Sequence, residues 1–158
     1  MTRAYARSLK GERAVGQVPR NRGTVTTMLG ALTLDGVLAI GTIEGATSGA
    51  VFSAFVETVL APKLRRGHVV VLDNLAAHYA TAARAAVEAR GARLMFLPQY
   101  SPELNPIEEA WSKVKSVLRA LEARTVKALD AAIVKAVGLI TPSDAAGYFR
   151  HAGYQVIR

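Results

Sequence analysis

The chain has 158 residues, of which 51% are hydrophobic and 20% are charged, so it can bury the core of one domain rather than remain disordered. Its 20 basic and 12 acidic residues give a net charge of +8, and cysteine is absent, which excludes disulfides and thiolate metal ligands. No apolar run approaches the roughly 18 residues of a membrane span and no signal-peptide pattern opens the chain, so we expect one cytoplasmic domain over residues 1–158.

The basic excess begins at the start of the chain. Such an arm suits sequence-independent contacts with nucleic-acid phosphates. The alternative, of equal weight, is a solvated and poorly ordered end. Within residues 1–22 only Glu12 opposes six basic side chains, which are Arg3, Arg7, Lys10, Arg13, Arg20 and Arg22.

The first predicted elements are two strands joined by a tight turn. Residues 24–34 and 37–43 are rich in Thr, Val, Leu and Ile, and Asp35-Gly36 between them is a strong signal for a two-residue hairpin. That turn role is a sufficient explanation for Asp35, so we do not expect it to be catalytic.

Helices and short strands then alternate along the chain. We expect strands over residues 69–72 and 92–97, and helices over 48–64 and 75–90, with three more helices beginning near Asn105, Thr125 and Thr141. This order predicts an α/β fold, in which an antiparallel edge and parallel interior strands form a sheet flanked by helices.

Asp73 is the first candidate for chemistry. It directly follows the apolar run Val69–Leu72, which is typical of a buried parallel strand. Ligands of open α/β sheets bind at the carboxyl ends of such strands. The alternative is that Asp73 caps the turn that follows the strand.

Glu108 is the second candidate. Asn105 suits an N-cap, Pro106 the first helical position and Glu108 the third, which predicts a capping box. Glu109 is expected to pair with Lys113 at i, i+4, an ordinary surface contact. Glu108 is therefore the better functional candidate of the two acids, although the capping box alone could explain it.

These residues carry a resemblance to a known family. Asp73-Asn74, and the string YSPELNPIE of residues 100–108 followed by Trp111, resemble the catalytic core of DDE transposases, and they are most similar to bacterial insertion-sequence transposases related to the mariner superfamily. The 34 residues between Asp73 and Glu108 match the spacing of this group. The resemblance extends less sharply over nearly the whole chain. It implies a ribonuclease-H-like fold, and DNA cleavage and joining assisted by two Mg²⁺ or Mn²⁺ ions.

The resemblance also assigns roles to individual residues. Asp73 and Glu108 would be catalytic and would ligate metal. Trp111 lies on the apolar stripe of its own helix, so it is expected to pack in the core rather than stack on bases. Residues expected to support the site are Asn74, His78, Tyr100, Ser101 and Asn105, and for His78 a purely structural role is favoured. Candidates for DNA backbone contacts are Arg3, Arg7, Lys10, Arg13, Lys115 and Arg119, the last two with a solvated helix face as the ordinary alternative.

One departure from the family pattern matters most. The family uses three acids, and the first lies on a strand upstream of residues 3–22, so we expect the sheet to lack its first strand and the chain to be inactive alone. Its expected partners are DNA and either a second copy or an upstream transposase half, with no separate DNA-recognition domain. Two alternatives remain open: a remnant that binds DNA or a partner without cutting, and a related ribonuclease-H-like nuclease.

Overall fold

The computed structural model describes residues 5–16 and 25–157. Residues 5–16 form an exposed arm with a turn at Lys10-Gly11, closed by a hydrogen bond from Glu12 N to Leu9 O (3.0 Å). Four strands and five α-helices follow: β1 (Thr26–Thr33), β2 (Gly36–Glu44), α1 (Gly49–Phe55), β3 (Val69–Leu72), α2 (Thr81–Glu88), β4 (Arg93–Phe96), α3 (Ile107–Leu121), α4 (Val126–Gly138) and α5 (Pro142–His151).

The predicted hairpin is present, but its turn lies one residue earlier than expected. β1 and β2 pair antiparallel until Thr33 faces Gly36, so Leu34-Asp35 forms the turn. Gly36 has a φ of 112°, in the region that favours glycine, and the Asp35 N–H donates to Thr33 Oγ1 (3.3 Å). Asp35 thus has the local structural role that its sequence context predicted.

The two predicted helices before β4 are each interrupted. The helix expected over residues 48–64 begins with Ser48 as the N-cap of α1, but after Phe55 the chain widens into a π-helix over Val56–Leu60 and then tightens into a 3₁₀ turn. Pro62 lies in that turn and has no N–H for the α-helical ladder, which accounts for the change. In the second helix, Ala80 is extended (ψ 122°) and separates a 3₁₀ turn from α2.

Two hydrophobic clusters cover opposite faces of the hairpin. The first joins Leu29 and Ala31 of β1 to α1, α2 and β3, and the second joins Met28 and Leu32 to α3 and α4. Adjacent residues of β1 therefore point into different clusters, as the alternation of side chains in a strand requires. This arrangement holds α3 against the hairpin.

The strands form two pairs. β3 and β4 are parallel, from Val69 opposite Arg93 to Leu72 opposite Phe96, and neither shares a ladder with β1 or β2 within the described residues. Between β1 and β3 lies an open cavity of about 680 Å³, which we call the central groove. Its lining includes residues 27–33 of β1, all of β3, Asp73 and Glu108.

The last helix is fixed by a charged contact that the sequence did not predict. Thr141 and Asp144 form a capping box at the start of α5, and Lys113 Nζ of α3 donates to Asp144 Oδ2 (2.8 Å). The expected Glu109–Lys113 pair is wrong, because Glu109 instead contacts His151 Nδ1. Hydrogen bonds from Lys113 and Thr141 hold the pKa of the Asp144 carboxyl well below its ordinary value.

In the part of the chain that is described, no helix combines the length and the apolar character needed to cross a membrane.

Candidate active site

Asp73 lies where β3 ends, at the mouth of the central groove. Its Oδ1 accepts a hydrogen bond from Leu75 N (3.1 Å) and lies 2.8 Å from His78 Nδ1, while 47% of the side chain remains exposed. The turn role considered for Asp73 is therefore real. It occupies Oδ1, whereas Oδ2 has no hydrogen-bond or ion-pair partner among the described residues.

The largely buried side chain of His78 contacts the Asp73 carboxylate. Its side chain is only 14% exposed, its Nδ1 also lies 3.4 Å from the Asp73 carbonyl oxygen, and its ring centroid is 4.4 Å from that of Phe52. Packing fixes the imidazole, and the imidazole fixes the carboxylate. This placement favours positioning of Asp73 over direct contact with a substrate.

Asn74 ties the ends of the two parallel strands together. Its Nδ2 donates to Leu97 O (2.7 Å), just beyond β4, and its Oδ1 accepts a hydrogen bond from the Tyr79 hydroxyl. The Tyr79 ring in turn stacks on Phe96 with centroids 4.4 Å apart. These contacts anchor the segment after Asp73.

Glu108 lies in the first turn of α3 with its side chain exposed. The predicted capping box is wrong: no side-chain hydrogen bond caps α3, and the Glu108 N–H donates to the carbonyl oxygen of Asn105 (3.1 Å). Within residues 5–16 and 25–157, the Glu108 carboxylate has no hydrogen-bond or ion-pair partner. It is therefore available to a ligand, and it borders the same groove as Asp73.

The loop between β4 and α3 shapes the approach to Glu108. Tyr100 is 97% exposed with a φ of 58°, an uncommon conformation for a bulky residue, and Ser101 Oγ donates to Gln99 O (3.3 Å). Asn105 lines the central groove. The Tyr154 hydroxyl donates to Leu104 O (3.0 Å) and so anchors the end of the loop to the C-terminal segment.

The two carboxylates are the type of ligand that a divalent metal ion prefers, but two side chains are fewer ligands than the ion needs. Carboxylate oxygens are the ligands that Mg²⁺ and Mn²⁺ prefer, and Mg²⁺ demands near-octahedral coordination by six ligands. No group of three or more His, Asp or Glu side chains suited to a metal occurs in the described ranges. Asp73 and Glu108 can thus supply part of a metal site, and further ligands must come from water, substrate or another segment.

The basic candidates lie on two exposed surfaces. Arg7, Lys10 and Arg13 are exposed on the arm, and Lys115 and Arg119 are exposed on α3. Arg3 lies outside the described residues. Both surfaces are accessible to a phosphate backbone, and none of the five side chains is buried in the core.

Thr47 is a groove residue that the sequence did not single out. Its Oγ1 is buried in the wall of the central groove and, among the described residues, has no hydrogen-bond partner. A threonine in a short connection carries no sequence signal for this, because such burial depends on tertiary packing.

Comparison with known proteins identifies both family and fold. The DDE superfamily endonuclease family matches residues 1–130. Solved structures of Mos1 transposase are similar to the chain: the strand transfer complex (TM-score 0.71, 18% identity), the paired-end complex with the left transposon end (0.73, 17%) and the mariner paired-end complex with Mn (0.67, 20%). These matches cover 96%, 96% and 93% of this chain and 46% of each Mos1 chain. They confirm the expected ribonuclease-H-like fold class; a search of curated proteins gave no match.

Proposed function

Because the chain belongs to the DDE superfamily endonucleases, we propose that it forms the catalytic domain of a transposase, which cleaves DNA strands and transfers them to new DNA. The observation that carries the proposal is the placement of Asp73 and Glu108, two acids at the family's spacing, on one groove. The chain spans about 46% of the length of the Mos1 chains, so the activity of a whole transposase is part of the proposal.

The described residues suit in-line displacement at a phosphodiester. Divalent ions, when bound, activate the attacking hydroxyl and stabilise the leaving oxygen. Asp73 offers Oδ2 to an ion, because Leu75 and His78 already contact Oδ1. Glu108 offers an exposed carboxylate from the first turn of α3, and the two negative side chains would attract Mg²⁺ or Mn²⁺ to the groove.

DNA is the proposed partner through its phosphate backbone. The contacts would come from the arm (Arg3, Arg7, Lys10 and Arg13) and from Lys115 and Arg119 of α3. Its other proposed partners are a second copy of the chain or an upstream transposase half. The resemblance to bacterial insertion-sequence transposases further implies a location in the bacterial cytoplasm, on nucleoid DNA.

We expect the chain alone to bind DNA weakly, without sequence preference and with a steep salt dependence. Each phosphate contact contributes about 0.9 to the slope of log K against log salt, so Lys115→Ala with Arg119→Ala should lower the slope by about 2. Fluorescence anisotropy on two unrelated duplexes measures this. Lys127→Ala, an exposed lysine on α4, is the control and should have no effect. Tight binding to one duplex, or an unchanged slope in the double variant, would refute these contacts.

We expect the chain alone to give at most trace nicking of supercoiled plasmid with Mg²⁺ or Mn²⁺, because two carboxylates hold a metal pair poorly. Trace nicking that Asp73→Ala abolishes supports the proposed activity, and joining of a cut end to a second DNA separates a transposase from another nuclease. Complete absence of nicking at high Mn²⁺ favours the alternative in which the chain binds DNA without cutting. Robust Mg²⁺-dependent cleavage by the chain alone would contradict the expected incompleteness of the site.

A further inference from the structure

The first turn of α3, which carries Glu108, is not fixed by its own sequence. Pro106 occupies the N-cap position, and no side-chain hydrogen bond caps the helix. The first N–H groups of a helix have no partner within it, so an uncapped start frays readily. The Glu108 carboxylate has no hydrogen-bond or ion-pair partner among the described residues. Its position therefore depends on contacts that other parts of the chain make with the start of α3.

Tyr154 makes one such contact from the C-terminal segment. Its hydroxyl donates to the carbonyl oxygen of Leu104 (3.0 Å), at the end of the 3₁₀ turn that precedes α3. The Tyr154 ring packs edge-on against Phe149, with centroids 5.6 Å apart, and the Tyr154 N–H donates to the Phe149 carbonyl oxygen (2.9 Å). Because both the ring and the backbone of Tyr154 are held, its hydroxyl has a fixed direction. Both aromatic residues line the central groove, as Glu108 does.

Two charged contacts bring Tyr154 to this end of α3. Asp144, in the first turn of α5, accepts a hydrogen bond from Lys113 (2.8 Å). His151, at the end of α5, contacts Glu109, which lies one turn nearer the start of α3. The first two turns of α3 and the whole of α5 therefore run antiparallel. Tyr154 follows closely after the end of α5, so it reaches the loop before α3.

We propose that Tyr154 is a positioning residue for Glu108: its hydroxyl holds the loop before α3 and thereby places the Glu108 carboxylate on the central groove. The inference rests on the proposed function, in which Glu108 ligates a metal ion. Loss of a contact made directly to a metal ligand commonly costs about 10–100-fold in metal affinity. Tyr154 acts one step further away, through the backbone, so we expect a smaller loss of about fivefold. The family match covers residues 1–130 and does not include Tyr154.

The test is Tyr154→Phe in the whole chain, which removes the hydroxyl and keeps the ring. In the metal-free chain, amide hydrogen exchange should become faster at Leu104, Asn105 and Glu108, whose N–H groups donate hydrogen bonds within the turn and the helix start. Exchange around Asp73 should not change. The free Mn²⁺ signal in electron paramagnetic resonance should show a loss of affinity of about fivefold.

Tyr148→Phe is the matched control, because it removes from α5 a hydroxyl that has no hydrogen-bond partner among the described residues. It should leave amide exchange and Mn²⁺ affinity within about twofold. The proposal is overturned if Tyr154→Phe leaves exchange at the start of α3 unchanged, or if Tyr148→Phe has the same effects. Faster exchange over the whole chain also overturns it, since Tyr154 would then stabilise the fold in general. Loss of Mn²⁺ affinity in Glu108→Gln but not in Tyr154→Phe overturns this inference alone, whereas no loss in Glu108→Gln overturns the metal site on which it rests.

Discussion

Glu108→Gln is expected to weaken Mn²⁺ binding to the chain by more than about tenfold. Substitutions that only support a metal ligand commonly cost about 10–100-fold in affinity, and loss of a ligand should cost at least as much. The change keeps the size of the side chain and removes the charge, and Glu108 has no partner in the described residues whose loss would disturb the fold. The free Mn²⁺ signal in electron paramagnetic resonance measures the affinity.

The neighbouring acid provides the control for Glu108. Glu109 has the same side chain and lies one position along α3, but it contacts His151 and does not line the central groove. Glu109→Gln should therefore leave Mn²⁺ affinity within about twofold, which is under 0.5 kcal/mol. Equal losses in the two variants would mean that Mn²⁺ responds to the general charge of the helix start and not to a site.

Trp111→Ala is expected to lower the free energy of unfolding by about 3 kcal/mol, the low end of the range for tryptophan truncation in a core. Trp111 packs with the second cluster and lies so close to β1 that a Cβ at Gly30 would be 2.7 Å from its Cη2 atom. Removing the indole leaves a cavity between α3 and the hairpin. A urea titration followed by far-UV circular dichroism measures the loss.

Val134→Ala is the control for this truncation, because Val134 is 71% exposed on α4 and should change stability by less than about 0.5 kcal/mol. A second measurement separates the two roles considered for Trp111. If Trp111→Ala left stability unchanged but weakened DNA binding, the indole would be a stacking platform and its assignment to the core would be refuted.

Local sequence signals predicted most of the elements but not their interruptions. The caps at Ser48, Thr125 and Thr141 are observed because each depends on a side chain and an N–H two or three residues away. The break at Ala80 depends on tertiary contacts of the preceding turn. The hydrophobic periodicity of the sequence does not predict such contacts. The turn at Leu34-Asp35 lies one residue from the expected place, because Gly36 takes a positive φ just after the turn rather than within it.

The same distinction applies to the candidate site. The sequence predicted where Asp73 and Glu108 lie along their elements, and they do line one groove. It did not predict that the two strand pairs would form separate sheets. Nor did it predict that Lys113 would pair with Asp144, which is 31 positions away in the chain, instead of with Glu109. Long-range contacts of this kind depend on how packed elements meet, and that information is not local.

The most direct test of the account is line broadening by Mn²⁺ in the amide spectrum of the chain, since a paramagnetic ion broadens nearby resonances first. The account predicts that low Mn²⁺ concentrations broaden the amides around Asp73 and Glu108 together, and that this effect disappears in the Asp73→Asn, Glu108→Gln double variant. Broadening centred on another acidic cluster, or surviving in the double variant, would contradict the proposal that these two carboxylates bind the metal.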